Sequence, residues 1–273
     1  MAHEATPVQK APEHTVTAVV LVFNREQALR RTLTELTNLP LIRRIIVVDN
    51  ASTDGSAAAA EAHPNTRVIR LPTNTGVAAF AEGMACVETD YALILDDDAW
   101  PEAAGLSGAH ALLEADATIA AVALSPVHPG TRVREWPRLT DRTMRSAFMG
   151  CGNLIRTADW RSCGGYEAGF FLYRNDTDLA LTFAALGRGV AFDPAWIVWH
   201  DSPAAARKSE RWLHLATRNW AWMARRHARS MWLAIGLVAA FGHACREAGF
   251  SATRLAAVMR GIRDGLFTPA PLL

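Results

Sequence analysis

A doubly wound, mostly parallel α/β sheet with a helical segment at the C-terminal end is the fold class this sequence predicts. Three observations carry the prediction. Apolar, β-prone runs without polar alternation recur in the first half, the pattern of strands buried on both faces. Stretches with helical spacing of apolar residues lie between them, so strand and helix signals alternate. The fourth run, Leu93-Ile94-Leu95, ends in Asp96-Asp97-Asp98, and polar strand ends are where open α/β sheets bind their ligands.

Val16 to Phe23 is the first predicted strand, and Arg25 to Leu36 is a helix with apolar positions at Ala28, Leu29, Leu33 and Leu36. Ile45 to Val48 is a second buried strand closing at Asp49. Asn50-Ala51-Ser52-Thr53-Asp54-Gly55 is a polar turn into an alanine-rich helix. Arg67 to Arg70 is a short third strand, and a helix from Gly76 to Val87 precedes the strand bearing the three acids. Ile119 to Leu124 follows as another strand. Ser125 to Arg145 is rich in Pro, Arg and Thr without a clean period and reads as a long loop or irregular strands. Phe148 to Ile155 and Ala191 to Trp199 are further strands, with a helix from Asp176 to Leu186 between them. From Ser209 onward the pattern is helical, with Trp212, Leu215, Trp220 and Trp222 supplying bulk.

This reading divides the chain into a flexible polar leader (1–14), an α/β domain (15–203, in halves 15–124 and 125–203) and a helical extension (204–273). Pro203 to Lys208 is the expected mobile segment. At 273 residues the chain can bury a sizeable core. A net charge of +1 excludes a strong electrostatic case for nucleic-acid binding. Cys86, Cys151, Cys163 and Cys245 lack CxxC spacing, which suggests neither a zinc site nor a disulfide framework and fits a reducing cytoplasm. The leader lacks the apolar core of a signal peptide. The apolar run from Met231 to Phe241 is about half of a membrane span. Near Arg225-Arg226-His227-Ala228-Arg229 it reads as a buried or dimer-forming helix, with an interfacial contact at the inner face of a membrane as the other reading.

Three adjacent carboxylates repel one another and are held most easily around a cation. Mg²⁺ and Mn²⁺ take oxygen ligands and bridge carboxylates to substrate phosphates. Asp96 and Asp98 are the expected metal contacts, since alternate residues of an extended segment point the same way. The competing reading is capping of the helix announced by Pro101 and Glu102, which needs one acid rather than three. Phe23-Asn24-Arg25, Asp49-Asn50 and Asn74-Thr75-Gly76 close or follow the other strands, so all four polar segments fall on one edge of a parallel sheet.

In this order the motifs resemble those of a family 2 glycosyltransferase with the GT-A fold, near its rhamnosyltransferase-like and galactofuranosyltransferase-like members. The likeness is carried by Val22-Phe23-Asn24-Arg25, Ile46 to Gly55, Asn74-Thr75-Gly76 with Gly83, and Leu95-Asp96-Asp97-Asp98. It continues through Gly164-Gly165-Tyr166-Glu167 and Phe170 to Leu179, covers about residues 15–200, and loosens to Arg218-Asn219 beyond. The resemblance implies that Phe23, Asn24, Arg25 and Asp49 contact base and ribose, with Asn50, Asn74, Gly76, Asp96 and Asp97 on the same nucleotide side. It further implies a diphosphate-bridging Mg²⁺ or Mn²⁺ on Asp96 and Asp98, with His200 completing the shell. A lone His at a strand end is otherwise an ordinary surface or core residue.

The family pattern Glu-Asp-x-Asp-Leu stands here as Asn175-Asp176-Thr177-Asp178-Leu179, with Asn175 in place of Glu. By the resemblance Asp176 is the general base, which takes the acceptor proton as the hydroxyl attacks the anomeric carbon. Its structural reading is an N-cap for the following helix. Asp178 is then structural or acceptor-orienting. Trp136 is assigned to the acceptor side, while Trp160, Trp196 and Trp199 read as packing. Gly150 and Asn153 lie where relatives approach the donor sugar or acceptor.

The function so implied is metal-assisted, inverting transfer of a sugar from a UDP- or dTDP-sugar to a hydroxyl of a small molecule or glycan. A sugar nucleotidyltransferase would need a glycine-rich basic loop after the first strand, and Phe23 to Gln27 does not supply one. A haloacid-type phosphatase would carry acids on that strand. A non-catalytic nucleotide-sugar-binding or scaffold protein is the rival from another class, and Asn175 is its support.

Overall fold

The computed structural model describes residues 16–135, 143–145, 150–202, 209–227, 251–269 and isolated positions between 238 and 249. The leader, Trp136, the 203–208 segment, the beginning of the strand expected from Phe148 and most of the 231–241 run lie outside the described residues.

The alternating elements appear as read. Strand β1 (Val16–Val22) leads to α1 (Glu26–Thr37), β2 (Ile42–Asp49), α2 (Ser56–Glu61) and β3 (Thr66–Arg70). After α3 (Phe80–Ala85) come β4 (Tyr91–Asp96), β5 (Ala99–Pro101), α4 (Ala103–Ala115) and β6 (Ile119–Val127). The second half holds β7 (Thr143–Arg145), β8 (Asn153–Arg156), α5 (Thr157–Cys163), α6 (Asn175–Ala185) and β9 (Gly189–His200). Helices α7 (Glu210–His227) and α8 (Ala252–Phe267) follow.

The strands form one sheet in the order β3-β2-β1-β4-β8-β6-β9-β5, with β7 paired to β9. Strands β3, β2, β1 and β4 are mutually parallel, β6 and β9 are parallel, and β8 is antiparallel to both β4 and β6. Alternating side chains feed two cores. Val20, Val22, Val47, Leu93 and Leu95 meet Leu29 and Leu33 of α1 and Leu106 of α4 on one face. Val19, Ile46, Val48 and Ile94 meet Phe80, Met84, Trp160, Leu179 and Phe183 on the other. This two-sided burial is why the strands read as continuous apolar runs.

Two local readings are corrected. The helix expected from Gly76 to Val87 is a 3-10 turn (Gly76–Ala79) followed by the shorter α3. Gly76 sits at φ +64°, outside right-handed helical backbone, and a Cβ there would lie 2.0 Å from the Phe171 carbonyl oxygen, so only glycine fits this turn. The strand expected from Phe148 begins at Asn153, after a turn at 150–152. Between the acids and α4 lies β5, which pairs Ala99 with His200. Glu102 therefore occupies the N-cap position of α4 without a side-chain cap bond, and the acids do not cap that helix.

Candidate functional site

The parallel strand ends, the acid cluster and the N-terminal half of α7 surround a cleft of about 540 Å³. Phe23, Arg25, Asn50, Asn74, Gly76, Asp96, Asp97, Asp98 and His200 all line it, as expected from the sheet edge.

The three acids part company at the end of β4. Asp96 and Asp98 converge with His200, and one ligand atom from each lies within 4.8 Å of the others. Asp97 turns aside; its backbone carbonyl accepts from Thr32 Oγ1 at 2.8 Å, and its carboxylate meets Arg25 Nη1 at 3.3 Å. Arg25 Nη2 pairs with Asp98 Oδ2 at 2.8 Å. Asp98 Oδ1 is buried, accepts no hydrogen bond of good geometry, and stands 3.4 Å from His200 Nε2. The β5–β9 pairing brings His200 to this place, reinforced by Asp201 N donating to Asp98 O at 2.9 Å.

Burial makes this charge costly. It raises the Asp96 carboxyl to about 6 and the Asp97 carboxyl to about 8, each with neighbouring acids adding to the rise. Asp98 is different: the penalty of burial is outweighed by His200 and Arg25, which hold it below its ordinary value. Burial alone would lower the His200 imidazole, but the nearby Asp98, Cys151 and Glu135 raise it far above its usual range. Two carboxylates and an imidazole, with a buried oxygen turned toward them, form a donor set that fits a divalent cation of the Mg²⁺ or Mn²⁺ type.

Other expected residues act one layer back. Asn24, at φ +54°, accepts from Thr53 N at 2.7 Å, and Asp49 accepts from Ser52 N at 2.9 Å; both brace the turns that carry the edge. Neither is among the residues lining the cleft. Asn50 lines it but uses its amide to hold Asn74 and the Gly76 carbonyl, each at 3.1 Å. Asp176 lies in the first turn of α6 and accepts from Thr177 N at 2.7 Å; burial raises its carboxyl. It is not the N-cap, a position held by Arg174 in left-handed conformation. Asp176 stands outside the residues lining the cleft, yet its charge reaches Asp96. Asn175 is buried beside it. Asp178 accepts from His227 Nε2 at 2.7 Å and meets Arg226 Nε at 3.1 Å, which locks α6 to α7. Asn153 is buried in register between Ile94 and Ala123, while Gly150 faces open space.

The other wall of the cleft escaped the sequence reading. It is built from Phe171, Leu172 and Tyr173, with Arg211, Trp212 and Leu215 from α7. Phe171, Tyr173 and Arg174 have φ of 62°, 71° and 66°, conformations that cost about 1–3 kcal/mol each outside glycine. Helix α7 holds them: Asn219 Nδ2 lies 2.9, 2.7 and 2.8 Å from the carbonyls of Phe170, Leu172 and Tyr173. Arg218 Nη2 adds a bond to Phe170 O at 2.9 Å. The available signal was the Arg218-Asn219 pair; nothing in the residue types of 171–174 announces left-handed backbone.

Fold and site define an α/β protein with a ligand cleft at the carboxyl edge of its sheet and a cation-type donor set on the floor. The chain belongs to glycosyl transferase family 2, whose sequence profile matches residues 17–191, and it is a glycosyltransferase. No curated protein matches it at a significant level by sequence. Among solved structures it is similar to the mannosyltransferase PcManGT of Pyrobaculum calidifontis, in complex with GDP-Man and Mn²⁺. That likeness has 21% identity and a TM-score of 0.63, over 94% of this chain and 82% of that one. It is similar also to residues 1–349 of S. aureus TarS, at 14% identity and TM-score 0.66, over 93% and 81% of the two chains. GalNAc-T7 with UDP, GalNAc and Mn²⁺ matches at 13% identity and TM-score 0.63, over 92% of this chain and 54% of that one. At such identities the likeness is one of fold, and the fold is that of GT-A glycosyltransferases.

Proposed function

We propose that the protein transfers a sugar from a nucleoside diphosphate sugar, of the UDP or dTDP type, to a hydroxyl acceptor with inversion at the anomeric carbon. The convergence of Asp96, Asp98 and His200 on the floor of a cleft edged by Phe23, Arg25, Asn50 and Asn74 carries this reading. Asp96, Asp98 and His200 would hold Mn²⁺ or Mg²⁺, which supplies charge neutralisation for the departing diphosphate. Phe23, Arg25, Asn50, Asn74 and Gly76 take the nucleoside side, with Asn24 and Asp49 shaping their turns. The apolar wall from Phe171 to Tyr173 and Trp212 shields the reacting centre from water.

Asp176 serves as general base. The acceptor oxygen attacks the anomeric carbon, its proton passes to the Asp176 carboxylate, and the bond to the diphosphate oxygen breaks with the electron pair leaving on the nucleotide. The raised proton affinity of Asp176 suits that task. Asn175, Asp178, Gly150 and Asn153 support the sugar-side backbone, and Trp136 is assigned to the acceptor side.

A thermal-shift screen of UDP-, dTDP- and GDP-sugars with Mn²⁺ identifies the donor, because ligand that binds the folded state raises its melting temperature. With that donor, Asp176→Asn retains nucleotide binding and loses turnover by about 10²–10⁴-fold. Asp98→Asn loses nucleotide affinity as well. Undiminished turnover in Asp176→Asn sinks the assignment of the base. Binding without turnover in the wild type would instead favour the non-catalytic reading that Asn175 raises.

A further inference from the structure

We infer that Glu135 is a positioning residue for His200, an assignment that rests on the metal reading proposed above. Glu135 lies 65 residues before His200, in the return arm of a turn that follows β6, and its Oε1 accepts from His200 Nδ1. The arm is held along its length. Val127 pairs with Arg134, His128 N donates to Val133 O at 3.0 Å, and Glu135 N donates to Pro126 O at 3.0 Å. At the apex His128 Nδ1 accepts from the backbone N–H of Gly130 and Thr131, both at 3.1 Å.

The same arm is fastened to β9. The Arg134 guanidinium reaches Pro194 O at 2.6 Å and Ser125 Oγ at 2.9 Å. Arg132 stacks over Trp199, 4.4 Å from its ring centre, beside His200 in sequence. These contacts set the arm against the strand that ends in His200. The Glu135 carboxylate is thereby delivered to one ring nitrogen while Asp98 stands at the other.

An imidazole binds a cation only through a nitrogen that carries no proton, so the tautomer decides which nitrogen is free. With Nδ1–H committed to Glu135, Nε2 is the nitrogen left to ligate once a cation displaces its proton, and it is Nε2 that faces Asp98 Oδ1 at 3.4 Å. A carboxylate on the far nitrogen also fixes the ring plane and strengthens the ligand. Glu135 is outside the converging set of Asp96, Asp98 and His200, so it acts on the metal through His200 alone. The 128–135 turn thus couples the acceptor half of the domain to the floor of the cleft.

The test is titration of the full-length protein with Mn²⁺ alone, with free Mn²⁺ read by electron paramagnetic resonance and folding checked by circular dichroism. Glu135→Ala weakens Mn²⁺ binding by about 10–100-fold, and Glu135→Gln, which still accepts from Nδ1–H, recovers part of the loss. In a His200→Ala background Glu135→Ala adds nothing further, the mark of coupling through one residue. Affinity within twofold of wild type in Glu135→Ala overturns the assignment, as does a full additional loss in the His200→Ala background, which marks a merely structural role. A wild type that takes up no Mn²⁺ overturns the metal reading and this assignment with it. That outcome differs visibly from a wild type that binds Mn²⁺ with no regard to Glu135.

Discussion

At the residue scale, neighbours with the same chemistry diverge because their backbones diverge. Asp96, Asp97 and Asp98 read alike in sequence, yet only the first and third join His200, while Asp97 turns to Arg25. The pair is the one expected from strand alternation, but β4 ends at Asp96 and a turn at Asp97 and Asp98 sets the split instead. Asp178, read as structural or acceptor-orienting, is the anchor for Arg226 and His227. Its partners lie 48 and 49 residues downstream, a separation at which one sequence shows no pairing. Asn219 has the same character, since one amide holds three carbonyls of a loop forced into left-handed backbone. Asn219→Ala removes this donor from the Leu172 and Tyr173 carbonyls, while Arg218 still serves Phe170 O, and we expect a loss of about 2–3 kcal/mol in urea unfolding. Weaker nucleotide binding accompanies it, because Phe171, Leu172 and Tyr173 line the cleft. A variant with unchanged stability and affinity would remove the clamp from the account.

At the scale of elements, long periodic segments were legible and short or tertiary ones were not. Helix α1 was expected from its apolar spacing and buries Leu29, Leu33 and Leu36. Strand β5 has three residues, too few for any period, yet its pairing with β9 brings His200 to the acids. The C-terminal pair is joined through polar contacts as well as apolar ones: His214 Nε2 meets Asp264 Oδ2 at 2.9 Å, and Arg225 Nη1 caps α8 at Gly265 O and Thr268 O, both 2.9 Å. Hydrogen bonds from His214 and then Arg263 hold the Asp264 carboxyl below its ordinary value of 3.8. A carboxyl with a depressed folded-state value stabilises the fold above its unfolded pKa, and that contribution is lost as pH falls through the folded value. The melting temperature of wild type should therefore exceed that of Asp264→Asn at pH 5–7, by the equivalent of at most about 1 kcal/mol for so accessible a pair. The gap should close as the pH is lowered below 3.8. A gap that widens in acid would contradict the sign.

At the scale of the molecule, the helical extension is part of the site. Residues 204–273 read as a helical extension that could pair with a second copy, lie on a membrane or cover the acceptor site, and α7 supplies Arg211, Trp212 and Leu215 to the cleft and holds its strained wall. Phe170 of the α/β domain packs on Trp222 of α7 with ring centres 6.1 Å apart, beside Met223. Domain and extension should then unfold together, with far-ultraviolet and near-ultraviolet signals tracing one transition. Trp222→Ala should lower that single transition by about 3–5 kcal/mol and diminish stabilisation by nucleotide. An early, separate melting of the helices would show that they are an independent unit. Among the described residues no helix is long and apolar enough to cross a membrane.

Sequence alone determined the strand and helix alternation, the parallel sheet, the edge on which ligands gather and the acids on its floor. These are local or periodic properties: burial on both faces writes continuous apolar runs, and turns at strand ends admit polar residues. Tertiary structure decided which acids meet His200, that Glu135 reaches its far nitrogen, that Asp178 is a latch, and that α7 closes the cleft. Each depends on groups far apart in the chain brought together by β5, by the 128–135 turn or by helix packing. Such contacts leave no period behind, because what fixes them is the geometry of the folded whole and not the order of residues nearby.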